Sequence, residues 1–152
     1  MKFISHRGYT NGEDATIENN PVAIQSLLND NIDVEIDVWR LDGKYFLGHD
    51  EPRYTIEQSF LLQKGLWCHA KNKSALEHMI GSGVHCFWHQ SDDFTITSKG
   101  YIWAFPGKET NGNKTVMLFP EKYPNIDYQK YDFVCTDYLE IYLKGVKNGN
   151  KR

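Results

Sequence analysis

The sequence predicts an α/β fold with a predominantly parallel sheet, because short apolar segments of strand character alternate with helical ones. Two further observations support this prediction. The first three elements are strand, helix and strand, which implies a parallel pair of strands joined by a crossover. Polar side chains recur where strands end, and parallel α/β folds form their active sites at that edge of the sheet.

The first strand is the apolar segment KFIS, which runs directly into His6, Arg7 and Gly8. A polar pair at a strand end, followed by a glycine that frees the turn, is typical of an active-site loop. After a polar loop, a helix is predicted to begin at Pro21 with Asn20 as its N-cap. We therefore expect the second strand to lie parallel to the first.

The second strand lies in the segment DVEIDVWRLDGKYFLGHD, residues 33–50. Alternation along a strand places Glu35 and Asp37 on one face. An Asp-Gly turn then predicts a hairpin whose returning strand ends at His49. Two carboxylates on one face, with an imidazole folded back towards them, can bind a divalent cation beside an acid/base. The alternative interpretation is a pair of solvated surface acids.

Five later segments are also apolar and strand-like: LWCHAKN, VHCFWHQ, YIWAFP, TVMLFP and FVCTDY. TIEQSFLLQ is predicted to form a short helix capped by Thr55, SALEHMIGSG a second helix, and SDDFTITSKG a polar connection. Because a full eight-fold barrel takes about 250 residues, we expect a compact, shortened (β/α) barrel of the TIM-barrel type, either complete or open or partly closed, with helices reduced in its second half. Residues 1–145 are predicted to form one domain, and residues 146–152 a basic flexible tail.

Composition excludes several functional classes. The formal net charge of −3 and the pI near 6 argue against a nucleic-acid-binding surface. The apolar runs are too short for insertion into a membrane. The three cysteines are odd in number and lie in apolar segments, which favours buried thiols and a cytoplasmic location.

Chemically capable side chains recur at the strand ends. They are His6, Arg7, Glu35, Asp37, His69, Lys71, His89 and Asp137. Polar residues could simply mark where each strand leaves the core, and that explanation suits His89 best. It accounts poorly for several histidines and basic residues together. We therefore predict a polar, solvent-open cleft at this edge.

The motifs ISHRG, ENNPVAI, VEIDVW and DGKYFLGHD, in this order, resemble the glycerophosphodiester phosphodiesterase family, whose members are (β/α) barrels. The similarity is closest in the first third of the chain. LWCHAKN occupies the position of a family strand that ends in Glu-x-Lys, and FVCTDYLE is similar to the family's last strand. Between these two segments, only the order of the strands matches.

The resemblance implies roles for individual residues. His6 and His49 would be the catalytic acid/base pair. Arg7 and Lys71 would hold phosphate oxygens, and Glu18 would join them in the substrate-binding set. These roles agree with the chemistry of phosphodiester cleavage, which needs positive charge on the non-bridging oxygens, a base and an acid.

For the metal, the resemblance implies one divalent cation, magnesium or calcium, held by Glu35 and Asp37. The family supplies a third carboxylate, and this chain has His69 in its place. Imidazole is a poor ligand for magnesium and calcium and a good one for manganese or zinc. Either His69 is a ligand and the metal differs, or it does not ligate and water takes that position.

The expected function is therefore a metal-dependent phosphodiesterase that hydrolyses a small glycerol- or sugar-type phosphodiester by histidine acid–base catalysis. Two alternatives remain. The missing third carboxylate would suit a catalytically weak module of the same fold that binds phosphorylated sugars. The same site could also accept a terminal phosphate, which would make the protein a phosphomonoesterase.

Overall fold

A computed structural model describes residues 1–149 of the chain. Its strands are β1 (Lys2–His6), β2 (Asp33–Leu41), β3 (Lys44–Leu47), β4 (Tyr54–Ile56), β5 (Leu66–Ala70), β6 (Cys86–Phe87), β7 (Phe94–Ile96), β8 (Ile102–Ala104), β9 (Thr115–Leu118) and β10 (Phe133–Thr136). Its α-helices are α1 (Pro21–Asn29), α2 (Gln58–Leu61), α3 (Lys73–Gly81) and α4 (Leu139–Gly149). Among these helices, none is long and apolar enough to cross a membrane.

All ten strands belong to one mixed sheet. β1 lies between β2 and β10 and is parallel to both. On one side β2 continues in parallel to β5 and then β6, and on the other side β10 continues to β9 and β8. The hairpin partners β2–β3, β3–β4 and β7–β8 are antiparallel.

The predicted (β/α) barrel is wrong. Within residues 1–149 no ladder joins β6 to β7 or β8, so the sheet does not close. Single hydrogen bonds bridge this gap. The Ser98 N–H donates to the Cys86 carbonyl at 2.8 Å, and the Ser98 hydroxyl accepts from the Cys86 N–H at 3.0 Å. Residues 105–114, which connect β8 to β9, contain no helix, and the connection from β9 to β10 carries only two 3-10 turns. Strands of two to four residues with such short connections cannot repeat the βα unit of a barrel.

Three local predictions also differ from the structure. The residues around Thr55 form strand β4, and α2 begins only after Glu57. The polar connection after β6 contains β7, which pairs with β8. The last helix reaches Gly149, so it includes residues 146–149 of the predicted tail, and residues 150–152 lie outside the described part of the chain.

The predicted helix start at Asn20 is confirmed. Its side chain accepts a hydrogen bond from the Val22 N–H at 2.9 Å, and Pro21 is the first helical residue. The apolar face of β2, with Val34 and Ile36, belongs to the same buried cluster as Ile24 of α1. That packing turns the opposite face of β2, which carries the two acidic side chains, away from the helix.

Candidate active site

The register of the parallel strands brings the predicted site residues together. His6 is the partner of Glu35 across β1 and β2, and Asp37 is the partner of His69 across β2 and β5. Partners in adjacent strands point to the same face of the sheet. Direct contacts connect all eight predicted side chains at this edge: His6, Arg7, Glu18, Glu35, Asp37, His49, His69 and Lys71.

Arg7 joins three of these groups. It lies in a left-handed turn with φ of 52°, and Gly8 follows with φ of 89°. Its Nε lies 3.1 Å from Asp37 Oδ2, and one terminal nitrogen lies 3.3 Å from Glu18 Oε2. The other terminal nitrogen lies 3.2 Å from His49 Nε2. The carboxylates of Asp37 and Glu18 therefore fix the guanidinium beside the buried acids of β2.

Asp37 is held by an asparagine that the sequence analysis did not single out. The Asn19 side chain accepts from the Asp37 N–H at 2.9 Å and donates to Asp37 Oδ2 at 3.0 Å. Asn19 is buried and has φ of 54°, a conformation that asparagine tolerates better than most residues. This pair of hydrogen bonds sets the orientation of the carboxylate.

His6 makes a short contact with a second acid. Its Nδ1 lies 2.6 Å from Oδ1 of Asp137, and the Phe119 ring meets its imidazole edge-on at 4.9 Å between centroids. Burial lowers the pKa of His6, and the hydrogen bond to Asp137 opposes that shift. His6 is only 9% exposed, so the expected solvent-open position is wrong for this histidine.

His49 is more open, with 31% of its side chain exposed. Its Nδ1 lies 3.3 Å from Asp37 Oδ2 and 3.4 Å from Lys71 Nζ. Trp39 fixes the turn before it by donating its indole N–H to the Gly48 carbonyl at 2.7 Å. The hairpin therefore carries this imidazole to the acidic pair, as the alternation of β2 and the Asp-Gly turn predict.

Glu35, Asp37 and His69 can hold a metal ion. They offer ligand atoms that all lie within 4.8 Å of one another. Glu35 Oε2 and Asp37 Oδ1 are buried and accept no hydrogen bond. Such orphaned carboxylate oxygens are costly without a cation, so the residues fit the divalent ion that the sequence analysis expects.

The two carboxylates differ in electrostatic environment. Among the described ion pairs, Glu35 contacts only the imidazoles of His6 and His69, each 3.8 Å away. Burial and the neighbouring Asp37 raise the pKa of Glu35 well above its ordinary value. Burial also tends to raise the pKa of Asp37, but the neighbouring imidazoles of His49 and His69 and the charge of Arg7 hold that pKa well below the ordinary value. Glu35 is therefore the group that an added cation would stabilise most.

Sequence reasoning assigned no role to three residues that shape this site. Asp137 carries the same strand-end signal as the other residues, since it directly follows β10. Asn19 stands inside the Glu-Asn motif. Tyr9, whose hydroxyl donates to Glu18 Oε2 at 2.6 Å, follows the His-Arg-Gly motif and gives no signal of its own.

The chain matches no family model, no curated protein and no solved structure. The likeness to glycerophosphodiester phosphodiesterases therefore consists of the motif residues alone.

Proposed function

We propose that the protein is a metal-dependent phosphodiesterase that cleaves a small glycerol- or sugar-type phosphodiester. One observation carries the proposal. An imidazole lies on each side of the buried Glu35–Asp37 pair, His6 beside the first acid and His49 beside the second, and Arg7 and Lys71 both contact Asp37. Phosphodiester cleavage requires this combination of base, acid and positive charge.

His6 acts as the general base in this proposal. Its Nδ1 donates to the Asp137 carboxylate, which leaves the Nε2 lone pair free on the side of Glu35. Nε2 takes the proton of the attacking hydroxyl, either water or a neighbouring hydroxyl of the substrate. The buried Asp137 carboxylate then stabilises the imidazolium that forms.

His49 acts as the general acid and protonates the leaving alkoxide. Asp37 supports its protonated form from the Nδ1 side at 3.3 Å. In the structure an Arg7 N–H faces Nε2 at 3.2 Å. A bound phosphate oxygen would draw that N–H away, because charge-assisted bonds to phosphate are stronger than a bond to a neutral imidazole. Substrate binding would then free Nε2 to take up from solvent the proton that it delivers to the leaving alkoxide.

Arg7 and Lys71 bind the non-bridging oxygens, and Glu18 keeps Arg7 in place through the 3.3 Å ion pair. A divalent ion held by Glu35 and Asp37 would, when bound, offset the negative charge that grows on those oxygens. The buried carboxylates thus serve the ion, and the two basic side chains serve the phosphate.

The test is hydrolysis of bis-para-nitrophenyl phosphate by chelator-treated protein, alone and with magnesium, calcium, manganese or zinc. The proposal expects turnover that depends on metal and exceeds turnover of the monoester para-nitrophenyl phosphate. His78→Gln, at an exposed histidine of α3, is the matched control and keeps full activity. Faster turnover of the monoester would identify a phosphomonoesterase. Binding of phosphate esters without turnover would identify a binding module, and either result overturns the proposal.

We also propose a cytoplasmic location. All three cysteines are buried free thiols: Cys68, Cys86 and Cys135. Burial raises the pKa of each, which suppresses the reactive thiolate. Free thiols of this kind are usual in a reducing compartment. The proposed partner of the protein is its small phosphodiester substrate.

A further inference from the structure

We infer that His69 is the third ligand of the metal site, through Nδ1, and that it shifts the preference of the site from magnesium and calcium towards manganese, iron or zinc. The inference deepens the proposed function, because it concerns the same site. It is a statement about metal binding, however, and can be tested without any substrate.

The distances suit a shared ion. His69 Nδ1 lies 3.3 Å from Asp37 Oδ1 and 3.8 Å from Glu35 Oε1. Ligands about 2.0–2.2 Å from a zinc-like ion lie roughly 3.0–3.5 Å from one another. The Asp37–His69 spacing already falls in that range, and a small movement of the Glu35 side chain would complete it.

The hydrogen bond on the far side of the ring fixes its tautomer. His69 Nε2 lies 2.8 Å from the backbone carbonyl oxygen of His89. A carbonyl can only accept, so Nε2 carries the hydrogen, and in the neutral ring Nδ1 presents a lone pair to the two carboxylates. A lone pair facing two carboxylates is repulsive unless a cation lies between them. Metal-bound histidines commonly donate their other N–H to a carbonyl in this way.

The ring is also held by packing. It stacks on Phe87 at 5.0 Å with an interplanar angle of 6°. The loop that supplies the carbonyl is fixed in turn, since His89 Nε2 lies 2.6 Å from the Asp92 carbonyl oxygen and the His89 ring meets Phe105 edge-on. The position of Nδ1 is therefore set before any ion arrives.

The competing interpretation is an imidazolium. If His69 carried both protons, it would pair directly with Asp37 and Glu35, and the site would need no ion. That interpretation predicts weak metal binding by the wild-type protein. The two possibilities differ in what lies between His69 Nδ1 and the two carboxylates, a proton or a metal ion.

The first experiment is calorimetric titration of chelator-treated protein with manganese, zinc, magnesium and calcium. Any site with nitrogen and oxygen ligands favours zinc over magnesium, so the readout is the change in the affinity ratio between variants. We expect His69→Glu to lower the manganese-to-magnesium affinity ratio by about tenfold or more, because it creates an all-oxygen site. His78→Gln should leave the ratio unchanged. An unchanged ratio in His69→Glu would place His69 outside the coordination shell.

The second experiment detects the nitrogen ligand directly. Electron spin echo modulation of bound Mn²⁺ should show coupling to nitrogen in the wild-type protein and in His49→Gln. The coupling should be absent in His69→Gln. If it persists in His69→Gln, or if the wild-type protein binds none of the four ions, the inference is overturned. Nitrogen-coupled Mn²⁺ without diester turnover would leave this inference standing while the proposed function fails. Metal-dependent diester turnover without nitrogen coupling would support the proposed function and overturn this inference.

Discussion

His6 Nδ1 and Asp137 Oδ1 lie 2.6 Å apart although 131 positions separate the two residues in the chain. The contact exists because β1 and β10 are parallel neighbours, with Ser5 opposite Thr136, so that the next residue of each strand reaches the same edge. The orientation of the proposed base therefore depends on pairing between the first and last strands of the sheet.

Asp137→Asn should reduce kcat/KM for bis-para-nitrophenyl phosphate by about 10²–10⁴-fold, because the amide no longer fixes the imidazole tautomer or stabilises the imidazolium. Asp127→Asn, which alters an exposed acid at a 3-10 turn, is the control and should retain activity. Steady-state kinetics and thermal unfolding of both variants make the comparison. Equal activity of the two would remove Asp137 from the mechanism.

Asn19→Ala should lower the free energy of unfolding by about 2–3 kcal/mol, since it removes two buried hydrogen bonds to Asp37. It should also weaken metal binding, because the carboxylate loses its orientation. Asn20→Ala removes the cap of α1 and an exposed hydrogen bond to the Thr16 carbonyl, and should cost about 1 kcal/mol without affecting metal affinity. Urea unfolding and calorimetry measure both quantities. Equal metal affinity in the two variants would contradict the role given to Asn19.

Gly48→Ala should displace the turn that carries His49. A Cβ at Gly48 would lie 2.0 Å from the Glu51 carbonyl oxygen, so the backbone must move. Gly43 also has positive φ, but a Cβ there meets nothing within 4 Å. We expect Gly48→Ala to lose most of its turnover of a diester with an alkyl alcohol leaving group. Gly43→Ala should turn over the same diester at a rate close to that of the wild-type protein. Comparable turnover in both variants would show that the turn does not position the acid.

The first half of the site could be predicted because its residues are close in sequence and follow local rules. The alternation of β2 and the Asp-Gly turn are sufficient to bring His49 to Asp37. The contact between His6 and Asp137 could not be predicted in the same way, since it depends on which distant strands pair. Asn19 was missed because a buried asparagine in a loop resembles a turn residue when seen in sequence alone.

The fold was predicted less well than the site. Apart from the hairpins of β2, β3 and β4, strand and helix alternate up to β6, and this alternation predicts βα units throughout the chain. In the second half, Gly107, Pro120 and the short connections around them leave no room for crossover helices, and the sheet stays open between β6 and β8. Hydrophobic periodicity detects a strand and says little about whether its edge finds a partner.

His85 should make the stability of the protein depend on pH. Burial, together with the charge of Lys99, lowers its pKa to about 4. The unfolded chain, with a histidine pKa of about 6.5, binds this proton first, so the free energy of unfolding should fall as the pH falls from about 6.5 towards 4. His85→Gln should flatten that part of the profile. Urea unfolding at several pH values tests this, and equal slopes in the wild-type protein and the variant would contradict it.

The most direct test of the proposed mechanism compares His6→Gln and His49→Gln on two diesters. One diester has a nitrophenol leaving group, which departs without a proton, and the other has an alkyl alcohol, which needs one. With the metal-loaded protein, we expect His6→Gln to lose about 10²–10⁴-fold in kcat/KM on both diesters. His49→Gln should lose a similar factor only on the alkyl diester. If either variant keeps nearly wild-type activity on the alkyl diester, the two histidines are not the acid and base of a phosphodiesterase.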